Sequence, residues 1–162
     1  MGNGQRAAAK RLLFSFAWLI GHCALLSSAV LAADSTETAA SHYQSGLAYE
    51  RLGRLQEAYT QLQLACVLDA NDARIALALG VVALRLGRDQ AAQRSLEQSI
   101  ALDANSAASY YPLALLYEKQ KNIDRAIDSW NRFLEINPDE MLKLEARKHI
   151  HYLETARGDP AS

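Results

Sequence analysis

The tetrapeptide RLGR stands at Arg51-Leu52-Gly53-Arg54 and returns, letter for letter, at Arg85-Leu86-Gly87-Arg88, 34 residues later. A basic motif used twice would bind an anion. A repeated structural unit would use the same letters to end a helix. The rest of the chain decides between them. The same shift carries Leu68-Asp69-Ala70-Asn71 onto Leu102-Asp103-Ala104-Asn105, and Ile136-Asn137-Pro138-Asp139 is a third, degraded copy. Gly46 falls on Gly80 and then Ala114, Ala58 on Ala92 and Ala126, Leu62 on Leu96 and Trp130, and Tyr49 on Ala83 and Tyr117. Three units follow, spanning residues 39–72, 73–106 and 107–140.

Each unit predicts two helices. In the first unit Leu47, Tyr49 and Leu52 precede Gly53, which suits the left-handed position just past a helix end. A second helix is predicted over residues 55–68, with Ala58, Leu62, Ala65 and Cys66 at helical spacing. Asn71 and Asp72, Asn105 and Ser106, and Pro138 and Asp139 supply starts for the helices that follow. A glycine inside a helix costs about 1 kcal/mol relative to alanine. Gly46 and Gly80 therefore predict a close approach by the neighbouring helix, with Ala58 and Ala92 as the facing positions. RLGR is punctuation on this reading. Leu52 and Leu86 are assigned to the core, and the arginines sit at helix C-termini, where the macrodipole favours positive charge. The third unit has Lys119-Gln120-Lys121-Asn122 instead, so Asn122 is expected to assist that turn.

The two ends of the chain do not repeat. Residues 1–32 hold Arg6, Lys10 and Arg11, no acidic residue, and an uncharged run from Leu12 to Ala32. This predicts a signal peptide cleaved after Ala32 or a retained membrane anchor, followed by a linker at 33–38. The remainder is then exported to the periplasm or envelope, tethered to the inner membrane if the segment is uncleaved. The net charge is −1, and cleavage would remove three positive charges and no negative ones, so nothing favours nucleic acid as a partner. Cys23 would leave with the segment, and Cys66 would stand alone without a disulfide. At the other end Leu142, Ala146, Ile150 and Leu153 form one apolar stripe, which predicts a capping helix over 141–157 and a frayed tail at 158–162.

The three units resemble the tetratricopeptide repeat family, whose period is 34 residues. Tyr110, Leu113, Ala114, Tyr117, Ala126, Trp130 and Pro138 carry the resemblance in the third unit. Leu79, Gly80, Ala92 and Leu96 carry it in the second, and Gly46, Tyr49, Ala58, Leu62 and Ala65 in the first. Ala70 and Ala104 depart from the family where it has proline, and Phe133 departs where it has a small residue. The resemblance implies an all-α fold, a right-handed superhelical solenoid of three helix-turn-helix repeats plus the C-terminal cap. It also implies a non-enzymatic scaffold whose first helices line a concave groove, in the company of bacterial envelope assembly factors.

Carried over residue by residue, that groove presents Tyr43, Leu47, Arg74, Leu77, Val81, Arg85, Tyr111, Leu115 and Lys119. Some family members clamp a partner's terminal carboxylate with Lys, Asn and Arg at such positions. Here Tyr43, Leu47, Ala78, Ala108 and Pro112 occupy them, and the clamp is missing. The expected partner is a protein or peptide segment, apolar with acidic flanks. A competing assignment makes some of these residues inter-repeat core. An alternative function is a self-assembling subunit that stacks solenoid ends into homo-oligomers. No cofactor is expected. His149 and His151 are two residues apart and point to different helix faces, Asp124 and Asp128 suit a helix surface, and no nucleophile or phosphate-loop motif is present.

Overall fold

In a computed structural model, which describes residues 38–158, the chain forms seven helices: α1 (Ala39–Arg51), α2 (Leu55–Leu68), α3 (Ala73–Arg85), α4 (Asp89–Leu102), α5 (Ala107–Lys119), α6 (Ile123–Ile136) and α7 (Glu140–Gly158). No strand occurs among the described residues. The N-terminal segment expected to be a signal or anchor, its linker as far as Glu37, and residues 159–162 lie outside them.

The repeated tetrapeptide closes its helices by backbone geometry. Gly53 and Gly87 adopt φ of 73° and 71°. Gly53 N–H donates to Glu50 O (3.0 Å) and Arg54 N–H to Tyr49 O (2.9 Å), which is the paired bonding of a Schellman motif. Arg88 N–H to Ala83 O and Asn122 N–H to Tyr117 O, both 2.9 Å, repeat it in the other hairpins. In the third hairpin Lys121 takes the left-handed place at φ 59°, and Asn122 caps α6 by accepting from Arg125 N–H. The last arginine of each RLGR packs on a tyrosine, Arg54 at 4.7 Å from the Tyr49 centroid and Arg88 at 4.4 Å from Tyr59. One sequence expectation fails here. Leu86 is half-buried against the core, but Leu52 is 71% exposed. Identical letters meet different neighbours in a stack, because the first hairpin has no described hairpin on its outer side.

Within each hairpin the two helices lie side by side, and successive hairpins join through α2 against α3 and α4 against α5. The first helices also approach one another, α1 to α3 and α3 to α5, whereas no Cα of α2 comes within 8 Å of α4, nor any of α4 within 8 Å of α6. A row that is tight on one side and splayed on the other is curved, with α1, α3 and α5 inside. The core runs between the layers through Leu62, Val82, Leu96, Leu116 and Trp130, all fully buried. Buried hydroxyls tie hairpins together: Ser99 Oγ donates to Ala73 O (2.8 Å) and lies 2.9 Å from Ser109 Oγ. Both side chains are thereby satisfied, as buried polar groups must be.

The helical glycines do mark a close approach, but leucines rather than Ala58 and Ala92 supply it. A Cβ on Gly80 would stand 2.7 Å from Leu96 Cγ and 3.2 Å from Leu96 N. On Gly46 it would stand 2.6 Å from Leu62 Cγ and 3.4 Å from Ala58 O. Leucine branches at Cγ and fills that space. In the third unit Trp130 takes the leucine's place, and Ala114 takes the glycine's. Gly80→Val is therefore expected to lower stability by about 1–3 kcal/mol through overpacking, offset only in small part by valine's better helix propensity. Urea denaturation checks this, and an unchanged midpoint would mean that the hairpin can open without cost.

The α7 cap starts on Asp139, whose Oδ1 accepts from Met141 N–H (2.9 Å) and Leu142 N–H (3.3 Å). Ala146 and Leu153 are buried and Ile150 is partly buried against the core, so this part of the expected stripe is the face that docks. Leu142, at 43% exposure, stands at its edge.

Candidate partner-binding face

The nine residues expected to line a groove all lie on α1, α3 and α5. Tyr43, Leu47, Leu77, Val81, Tyr111 and Leu115 are each half-buried. Five of them pack against the core, and Val81 is the one that does not. The face is thus shared: one side of these side chains belongs to the interior and the other stays available. Tyr111 packs inward on two aromatic rings, 5.2 Å from Trp130 and 5.5 Å from Phe133, both edge-on.

The three cations on this face are all engaged. Arg74 forms a 2.6 Å ion pair with Asp72, and its guanidinium stands 5.9 Å from the Tyr43 ring centroid. Hydrogen bonds from Arg74 hold the Asp72 carboxyl below the usual carboxylate range. Arg85 reaches across to Glu50 of α1 at 2.8 Å, and Lys119 pairs with Asp89 of α4 at 2.7 Å. All three pairs are partly solvated and stabilise little; the Arg74 pair is local, and the other two bridge neighbouring hairpins.

The cap adds a second boundary. Its His149 ring stacks on Trp130, with centroids 4.7 Å apart and planes at 24°. Glu118 accepts from Trp130 Nε1 and lies within 3.1 Å of His149 Nδ1, so one carboxylate ties α5, α6 and α7 together. Yet no Cα of α7 comes within 8 Å of α5. Between them opens an apolar pocket of about 380 Å³ lined by Ala107, Ala108, Tyr111, Phe133, Asn137 and Leu142. Of these, Tyr111 and Ala108 fall on the groove face expected from sequence. The signal for the rest is the register: Phe133 stands where the other units have Ala65 and Ser99, and Asn137 where they have Asp69 and Asp103. Among the described residues, His, Cys, Asp and Glu form no group of three placed to hold a metal ion.

Family models described as tetratricopeptide repeat match residues 39–72, 73–106 and 108–140. Among solved structures, the chain is similar to PcrH in complex with the chaperone binding region of PopD, at 25% identity and a TM-score of 0.68, over 74% of this chain and 92% of that one. It is similar to MamA protein at 27% identity and a TM-score of 0.71, over 80% of this chain and 68% of that one. The Yersinia enterocolitica type III secretion chaperone SycD, solved with a peptide of the translocator YopD, shares the fold at 18% identity and a TM-score of 0.70, over 76% and 97% of the two chains. No curated protein sequence matches the chain.

Proposed function

The chain belongs to the tetratricopeptide repeat family, and on that premise we propose that it is a non-enzymatic adaptor that holds a segment of another protein against α1, α3 and α5. One observation carries the reading: six apolar side chains in a row of neighbouring first helices are half-buried rather than buried, so each keeps area to offer. The similarity to PcrH, whose structure holds a binding region of another protein, supports it. Tyr43 and Tyr111 give large contact area at low rotamer cost. An acidic flank on the partner would have to exchange with Asp72, Glu50 or Asp89, so Arg74, Arg85 and Lys119 tune encounter rate more than affinity. The N-terminal basic and uncharged run supports a role in the cell envelope. A reporter fused after Asp34 should be found outside the cytoplasm, and a cytoplasmic reporter defeats that assignment.

Val81 is the clean probe, because it faces the row without packing on the core. Val81→Glu should reduce capture of the partner from envelope extract roughly 10- to 100-fold, the loss of one apolar contact of about 1.5–3 kcal/mol. Melting should stay nearly unchanged. Undiminished capture removes the row from the binding site, and an unfolded variant makes Val81 core.

A second reading, end-to-end self-assembly, rests on α2. Val67 and Leu68 are 82% and 55% exposed there, and Leu64 is 42% exposed. The third hairpin has Arg132, Glu135 and Ile136 in the same register. Sedimentation of the purified chain with and without Val67→Glu separates the two readings.

A further inference from the structure

We infer that the pocket between α5 and α7 is a subsite for one bulky apolar side chain of an extended segment, with the peptide group beside that side chain held by Asn137 and Ala108. The inference rests on the reading of the chain as a segment-binding adaptor and names the chemistry at one end of that site.

Three observations converge. The walls are apolar: Tyr111, Phe133, Leu142 and two alanines line an open pocket of about 380 Å³, and Leu142 stands at the rim, 43% exposed. Asn137, which lines the pocket, also carries an unsatisfied donor. Asn137 is 7% exposed, its Oδ1 accepts from Asp139 N–H at 3.2 Å, and its Nδ2 is buried without an acceptor. The Asp139 bond fixes which end of the amide is oxygen, so the unpaired end is the donor. Such a group is costly unless something accepts from it. The third observation is Pro112, which lies inside α5. Proline has no N–H, so Ala108 O lacks the donor that residue i+4 gives every other carbonyl of a helix interior. Ala108 lines the same pocket.

A buried donor without an acceptor and a carbonyl without its helical donor thus belong to two residues that line one apolar pocket. A peptide group offers the complementary pair, a carbonyl for Asn137 Nδ2 and an N–H for Ala108 O, and an adjacent leucine or phenylalanine side chain fits the volume. A lipid tail would use the apolar walls and leave both polar groups unpaired. The other two hairpins offer no copy of this arrangement, since Asp69 and Asp103 stand at the position of Asn137, and Gln44 and Ala78 at that of Pro112.

The test uses N-acetyl-leucinamide as the probe, titrated into the full chain while NMR follows the Asn137 side-chain NH2 and the signals of Tyr111 and Leu142. N-acetylglycinamide, which lacks the side chain, is the control. The expected result is saturable shifts at those three residues with the leucine probe, at least about tenfold weaker with the glycine control. Asn137→Leu, and separately Leu142→Glu at the rim, should each weaken the leucine probe about tenfold while the chain keeps its folded spectrum. Equal response to both probes, or an unchanged response in a folded Asn137→Leu and a folded Leu142→Glu, overturns the inference. Partner capture separates this from the broader reading. Loss on Val81→Glu with full capture by both pocket variants keeps the row and discards the pocket. Loss in the pocket variants alone keeps the pocket and discards the row.

Discussion

Trp130→Ala is expected to lower stability by about 3–5 kcal/mol, the usual cost of truncating a buried large aromatic. The ring is fully buried in α6, where its unit has tryptophan in place of the leucines of the other two. Four neighbours lose their contact at once. Tyr111 and Phe133 meet the indole edge-on at 5.2 and 5.9 Å, His149 stacks on it at 4.7 Å, and Glu118 accepts its Nε1–H. His149 belongs to the cap, so the loss should reach α7. Amide hydrogen exchange in α7 should speed up more than exchange in α1 or α2. Trp130→Phe keeps a ring but leaves Glu118 with one donor fewer, and should cost about 1–3 kcal/mol. A change under about 1 kcal/mol for the alanine variant, or exchange that speeds up evenly along the chain, would show that Trp130 does not hold the cap.

The hairpins were legible because their causes are local and periodic. A left-handed turn needs glycine, a helix packed against a leucine's branch needs a missing Cβ, and both recur every 34 residues. Lys121 was not legible as the left-handed residue of the third turn, since nothing in its side chain announces a positive φ. Only Asn122 beside it marked the place. Ion pairing of the groove cations also escaped, because Arg85 and Glu50 lie 35 residues apart and meet only once the hairpins stack. The identity of the half-buried row could be carried over from the repeat. How much of each side chain remains exposed could not, since that depends on curvature. The pocket was hidden for the opposite reason to the hairpins: Phe133, Asn137 and Pro112 each break the repeat, and a broken repeat gives no periodic signal. Those breaks could have been read as a set, because all three fall in the last unit, where the stack meets a helix that does not repeat.

Removing residues 140–162 should have the largest effect of any change considered. Leu153 and Ala146, buried in the intact chain, would go with the helix, and the surface that they cover on the last hairpin would face water. Leu153 and Ile150 alone account for roughly 1.5–3 kcal/mol each when fully covered, and Trp130 would lose its stacking partner and Glu118 its second donor. Domains of this size are stable by about 5–15 kcal/mol in total, so the truncated chain should melt without a sharp transition or aggregate. The outward face of the same helix supplies the control. Met141 and Tyr152 are 72% and 67% exposed, and changing both to serine should move stability by less than about 1 kcal/mol, as surface substitutions do. A solenoid transmits order only between neighbours, so loss of the cap should be felt first in α5 and α6, and hydrogen exchange should show the third hairpin opening before the first. A truncated chain that stays soluble and unfolds at the same urea concentration would mean that the third hairpin closes the stack by itself, and that α7 serves only as a wall of the pocket.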